Sequence, residues 1–396
     1  MKNSFLIFLF LLPTFLLGQN QMIQVLAAAR KKPAPPDSVT LTITFSTPPT
    51  TASSEFAKIK YNKHGVFNLE VDDNQTECLE MESILLNYSF SDGAGLNHKY
   101  TAATAVNGYN FIGNEIGNHL GLGMQYADYS ILINGGWDVM NHTNRHVDLI
   151  NNNGINIIGY TEDLLVLNEL YYNKIGYVMN CFVVPETFTG FVPYADDLGF
   201  LVSSSSGSNS YKPAVPPYVA VGQVSNIEHP DSALVQLKRG FLHYWAVDSQ
   251  VNSVIHHFKS MVDASSELDN RFYRVGTHAS QWDSAAFHGF VDTLNILSAD
   301  RIWFTTAREW MEYRHTANDV VKQDTLFGNS MIISLSYDDI RNDFRWKDIC
   351  LNISSDATIF NVSFTGSADS ISYNPATGLI NIYKQNLIFD SHLLKQ

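Results

Sequence analysis

Apolar and polar positions along this chain fall into two regimes. From about residue 57 to 313, short apolar runs end abruptly in polar residues, and segments of helical spacing follow them. Val66-Phe67-Asn68-Leu69-Glu70-Val71 runs into Asp72-Asp73, the run at 176–184 into Pro185-Glu186, and the run at 199–202 into a serine-rich loop. The run at 240–247 meets Asp248, that at 272–276 meets Thr277-His278, and that at 301–304 meets Thr305-Thr306. Between them, 164–172, 251–262, 284–297 and 307–314 read as helices. Strands alternating with helices predict an α/β fold with a mainly parallel sheet covered on both faces. Six or seven such strands favour a distorted (β/α) barrel over an open sheet, and the polar residues at strand C-termini then form the rim where chemistry takes place.

Beyond about Gln323 the helical spacing disappears. Short alternating runs separated by Ser, Asp, Gly and Asn turns predict a small C-terminal all-β domain at 325–396. At the other end, SVTLTITF at 38–45 alternates Thr with apolar residues and predicts a strand. It is preceded by a Pro-, Ala- and Lys-rich stretch, so 19–55 reads as linker plus N-terminal strand, and the barrel as 56–322. Residues 1–18 have the form of a secretory signal peptide: Lys2, an apolar run at 5–17 broken only by Pro13 and Thr14, then Gly18. The expectation is an exported protein (periplasmic, cell-surface or extracellular) with no integral membrane segment after signal removal.

Composition narrows the partners. With 45% hydrophobic and 16% charged residues the chain can bury a sizeable core. A formal net charge of −14 disfavours nucleic acid and anionic membranes. The three cysteines, Cys78, Cys181 and Cys350, contain no Cys-x-x-Cys pair, which argues against a zinc knuckle or a disulfide scaffold; any one pairing would leave an odd thiol. Cys78 reads as a buried inert thiol.

The candidate chemistry lies between Val71 and His146. Asp72-Asp73 ends an apolar run, and His142 and His146 are spaced to share one helix face, so both imidazoles can reach one ion. One carboxylate and two imidazoles are a ligand set for a divalent metal with room left for water. Adjacent carboxylates allow a division of labour, one holding the metal and its neighbour acting as base. Among thirteen histidines an i, i+4 pair arises readily by chance, so the weight rests on the combination with Asp-Asp and with a later strand ending at His278. Thr143 stands where H-E-x-x-H metalloproteases need Glu. The pairs Asp196-Asp197 and Asp338-Asp339 read as solvated turns, as does Asp92-Gly93.

VDDN at 71–74, HTNRH at 142–146, the strand ending in His278 and RIWFTTAREWMEY at 301–313 together resemble the polysaccharide deacetylase (NodB-homology) family of carbohydrate esterases. The resemblance implies a distorted (β/α) barrel and removal of N- or O-acetyl groups from a polysaccharide or oligosaccharide. It implies a divalent metal, zinc first and then cobalt, nickel or manganese, on Asp73, His142 and His146. It makes Asp72 the catalytic base and His278 the catalytic acid, and the sugar-stacking role falls to Trp282, beside the His278 strand end. The chain departs from the family in its flanks: Thr-Phe-Asp-Asp-Gly becomes Glu-Val-Asp-Asp-Asn, and Val183-Val184-Pro185-Glu186 stands where an arginine motif is expected, with Arg239 a later arginine. The second reading, from a different class, is a non-catalytic glycan-binding or envelope-assembly protein on the same scaffold.

Overall fold

The computed structural model describes residues 37–108, 123–146, 159–185, 191–206, 225–226, 235–242, 247–263 and 271–386. The stretches expected to be signal peptide and linker, at 1–36, lie outside the described residues.

Two strands come first, β1 (Ser38–Phe45) and β2 (Ala52–Phe56). The barrel begins with β3 (Gly65–Asp72), followed by α1 (Cys78–Leu85), a hairpin of β4 (Ser89–Ser91) and β5 (Asn97–Lys99), and β6 (Ala103–Val106). Next come α2 (Tyr126–Asn134), β7 (Asp138–Asn141), α3 (Gly159–Ile175), β8 (Cys181–Val184), α4 (Val192–Asp197) and β9 (Val202–Ser206). The two-residue β10 (Ser225–Asn226) precedes β11 (Val235–Leu242), α5 (Val247–Asp263), β12 (Arg271–His278), α6 (Ser284–Ser298), β13 (Ile302–Phe304) and α7 (Ala307–Asp319). Six strands end the described chain: β14 (Val321–Phe327), β15 (Ser330–Ser336), β16 (Ile349–Ser355), β17 (Ile359–Gly366), β18 (Ser370–Asn374) and β19 (Leu379–Tyr383).

The central sheet runs β12-β11-β9-β8-β7-β6-β3, and an added β12–β3 pairing closes it on itself. All these neighbours are parallel. This is the (β/α) barrel. β3 is buried at every one of its eight positions, as a strand covered on both faces must be. The distortion sits beside it. β3 meets β6 only through Glu70–Asp72, while β13 pairs with its first residues, Gly65 to Phe67. The full eight-residue ladder between β3 and β12 sets Asp72 level with His278. Helix starts on this face are capped as their sequences ask: Asp283 accepts from the Ala286 amide at 2.7 Å, and Thr306 from the Glu309 amide at 3.1 Å.

The C-terminal all-β region forms two antiparallel four-stranded sheets, β14-β15-β1-β17 and β18-β19-β16-β2. Both N-terminal strands are built into it; Val39 pairs with Leu335 on one side and Gly366 on the other. Val39, Leu41, Ile43 and Phe45 turn inward while the alternating Thr residues face out. The β region is fastened to the barrel by buried polar contacts. Lys60 Nζ donates to Glu309 Oε1 at 2.7 Å and to Asp348 Oδ2 at 2.6 Å, and the Tyr313 hydroxyl donates to the Ala57 carbonyl at 2.6 Å.

Local readings shift in several places. The serine-rich stretch after Val202 begins as a strand, because β9 lies between β8 and β11 and Val202 to Ser205 are in register with a neighbour on both sides. β11 lies earlier than the apolar run at 240–247, its ladder to β9 starting at Val235, and a helix begins at Val247. Asp92 follows a three-residue strand, and its buried carboxylate accepts from Ala94 N at 2.7 Å, Leu96 N at 2.9 Å and the Tyr383 hydroxyl at 2.7 Å. It ties a turn to the β region. All three cysteines are free and buried. Among the described residues no helix is long and apolar enough to cross a membrane.

Candidate metal centre and active site

Asp73 leaves the end of β3 with φ 73°, and Asn74 follows with φ 55°. This left-handed pair throws the Asp73 side chain away from the barrel interior that Asp72 faces. It also accounts for asparagine at the glycine position of the family motif, since Asn tolerates positive φ better than most residues with a Cβ. Asn74 then fixes the turn to the end of β6. Its Nδ2 donates to the Asn107 carbonyl at 2.9 Å, and its Oδ1 accepts from the Asn107 amide at 2.8 Å.

The two histidines sit on a loop after β7 rather than on a helix; Thr143 and His146 have φ 66° and 53°. A set of side-chain bonds shapes that loop. Asn141 Oδ1 accepts from the Thr143 amide at 2.8 Å, Thr143 Oγ1 from the His146 amide at 2.9 Å, and Asp163 on α3 from the Arg145 amide at 3.4 Å. His142 Nδ1 lies 2.8 Å from the Val183 carbonyl oxygen, which can only accept. The proton is therefore on Nδ1, and the Nε2 lone pair is left for a ligand. Burial is the largest influence on His142 and pushes it down to about 4, so the ring stays neutral as ligation requires.

Asp73 Oδ1 lies 3.4 Å from His146 Nε2 and 3.7 Å from His142 Nε2. Asp73, His142 and His146 can each offer one ligand atom with all three within 4.8 Å of one another. Asp73 Oδ1 is buried and has no hydrogen-bond partner among the described residues. An orphaned carboxylate oxygen facing two imidazole nitrogens is a set of converging lone pairs that a cation satisfies. The residues fit a divalent metal.

The other Asp73 oxygen, Oδ2, is 3.0 Å from His278 Nε2. The Gln281 side-chain amide lies 2.9 Å from His278 Nδ1, and the ring's Nε2–H donates to Asp73. For Asp73, burial raises the carboxyl pKa, but the His278 bond and the three nearby imidazoles outweigh it and hold the group ionised far below its usual range. For His278, burial lowers the pKa and is outweighed by the bond to Asp73 and the charges of Asp72 and Asp73, so the ring holds its proton to higher pH.

Asp72, 4% exposed, faces the barrel interior, where Arg239 of β11 meets it. Arg239 Nη1 donates to Asp72 Oδ1 at 2.9 Å and Nη2 to Oδ2, a two-point grip that fixes the carboxylate plane. The arginine absent after β8 is thus supplied from β11. Its signal in the sequence is faint, an arginine beside Gly240 in the mixed run VQLKRGFL.

Comparison with known proteins adds the following. No protein-family model and no curated protein matches the chain. Among solved structures it is similar to a candidate polysaccharide deacetylase from Mycobacterium smegmatis, with 13% identity and a TM-score of 0.41, covering 67% of this chain and 92% of that one. It is also similar to a mutant CE4 family pseudoenzyme with restored enzymatic activity, with 10% identity and a TM-score of 0.36, covering 64% of this chain and 68% of that one. What this chain can do is read from its own side chains.

The remaining candidates are placed as follows. Trp282 is half-buried beside the His278 strand end; its indole N–H donates to Thr277 Oγ1 at 2.9 Å, and its rings pack on Phe287 and Phe290 of α6. Cys78 is fully buried, and burial pushes its thiol up to about 12. Residues 186–190, where a backbone N–H after Val184 is expected to face an oxyanion, lie outside the described residues. Sequence reasoning had no role for Glu70 or Arg274, which complete the ionic set around Arg239.

Proposed function

We propose that the chain is an exported, metal-dependent carbohydrate deacetylase of the polysaccharide deacetylase type, acting on N- or O-acetyl groups of a polysaccharide or oligosaccharide. The observation that carries this reading is the convergence of Asp73 Oδ1 on the Nε2 atoms of His142 and His146, with Asp72 clamped by Arg239 on the adjoining residue. Zinc is the ion best matched to one carboxylate and two imidazoles; it supplies Lewis acidity at the acetyl carbonyl and eases deprotonation of water.

The chain's own residues do the rest. Asp72 accepts a proton from the attacking water, whose oxygen bonds to the acetyl carbon. Arg239 keeps the Asp72 carboxylate in one plane through this step. His278, as the imidazolium that Asp73 and Asp72 favour, gives its Nε2 proton to the leaving nitrogen or oxygen as the bond to the acetyl carbon breaks, and acetate and a free amine or alcohol result. His142, with Nδ1–H committed to Val183, keeps its Nε2 lone pair for the ion.

Arg239 on the Asp72 carboxylate supports the catalytic reading over a non-catalytic glycan-binding or envelope-assembly role. The test is acetate release from chitin oligomers, peptidoglycan and acetylated xylan, with zinc or cobalt added and metal content measured in parallel. Stoichiometric metal with no acetate released from any of them would return the non-catalytic reading.

A further inference from the structure

Behind Asp72 the barrel interior holds a closed set of four charges. Glu70 and Asp72 are two apart on β3 and so share its inner side. Gly240 of β11 is level with Val275 of β12, which sets Arg239 and Arg274, one residue earlier on each strand, side by side. Arg239 Nη1 donates both to Asp72 Oδ1 at 2.9 Å and to Glu70 Oε2 at 3.1 Å, and Arg274 Nη2 donates to the other Glu70 oxygen. None of the four is more than 4% exposed. Two carboxylates and two guanidiniums leave the set neutral in a place where a lone charge is costly.

Room for this arrangement comes from Gly276. A Cβ there would lie 2.7 Å from the Arg239 Cζ and Nε, so the absent side chain is what lets Arg239 rise past β12 toward Asp72. Arg239 shares its Nη1 between Asp72 and Glu70, and Glu70 is itself held by Arg274.

We propose that Glu70 and Arg274 are positioning residues: they balance and brace Arg239, and through it fix the carboxylate of Asp72. This rests on the reading of Asp72 as the base. It assigns a purpose to the glutamate that stands in place of the family's motif threonine.

The experiment compares full-length zinc-loaded parent with Glu70→Gln, Arg274→Gln, the double variant Glu70→Gln/Arg274→Gln, and Glu70→Asp. The last keeps the charge balance but withdraws the carboxylate by one methylene, and serves if a single neutralised variant does not fold. Metal content, kcat and KM on an acetylated chitin tetramer, and crystal structures are recorded. Each single variant, Glu70→Asp included, is expected to lose about 10²-fold in kcat, the scale of a misplacement near 1 Å, with KM within about twofold and metal unchanged. The double variant restores neutrality and is expected to recover about tenfold over either neutralised single, with the two-point Asp72–Arg239 contact regained. Unchanged kcat in the single variants, losses that multiply in the double, or an Asp72–Arg239 contact identical throughout would each overturn the brace. A parent that binds zinc but releases no acetate overturns the deacetylase reading instead, and the crystal structures then decide the brace alone.

Discussion

Arg239 grips both carboxylate oxygens of Asp72 from 167 residues further along the chain, and does so fully inside the barrel. The neighbouring Asp73 turns the other way and gives one oxygen to two imidazoles. Adjacent aspartates therefore do different work, and substitution should separate them. Asp73→Ala and His142→Ala are expected to lose bound metal and acetate release together. Asp72→Asn should keep its metal and lose about 10²- to 10⁴-fold in kcat. Full activity in Asp72→Asn would remove Asp72 as the base.

Gly276 tests the Arg239 grip without changing any charge. Alanine there would place its Cβ 2.7 Å from the guanidinium carbon. Gly276→Ala is expected to retain metal while kcat falls at least tenfold, since a small displacement of an orienting group is costly. Kinetics and metal analysis on the same preparation check it; equal losses of both would point to a general collapse of the site.

Asn141 holds the histidine loop. Its Nδ2 donates to the Leu164 carbonyl at 2.9 Å and Asn168 Oδ1 at 3.0 Å, while its Oδ1 receives the Thr143 amide. Asn141→Ala should weaken zinc affinity by about 10- to 100-fold, the usual scale for removing a group that orients metal ligands. Competition with a chelating dye measures this, and an unchanged affinity would mean the loop is held without it.

Glu82 of α1 gives a pH dependence remote from the site. It is 2% exposed, accepts the Trp137 indole N–H, and burial pushes its carboxyl up from 4.5 to about 7. The folded chain thus prefers the protonated form more than the unfolded chain does. Its contribution is fully present below pH 4.5 and is lost as pH rises through about 7. Glu82→Gln should flatten the fall in thermal midpoint across that window and be the more stable protein above it. Parallel midpoint curves for the two proteins would exclude the effect.

The thiols provide a simple check on the fold. Cys78, Cys181 and Cys350 are free and buried, and burial raises the pKa of each. A thiol-specific reagent should find none of them in the native protein and all three after unfolding, and reductant should leave the thermal midpoint unchanged. Rapid native labelling would contradict the packing.

The runs that become β3, β8, β9, β12 and β13, the helices α3, α5, α6 and α7, the carboxylate pair, the two histidines and His278 were legible in the sequence, whereas β6, β7, α1, α2 and α4 were not read from it. Each feature that was legible rests on a local signal: an apolar run of β length, a polar residue where it ends, or a fixed spacing. Three things were decided only by the tertiary structure. The first is the partnership of β1 with β15 and β17, because a strand's pattern shows which face it buries but not which distant strand it joins. The second is the loop conformation of His142 to His146, where side-chain bonds from Asn141, Thr143 and Asp163 override helical spacing. The third is the alliance of Glu70, Arg274 and Arg239 around Asp72. Charges within strands fit for burial announce that they need partners, but only closure of the sheet through β12 and β3 brings those partners to within about 3 Å.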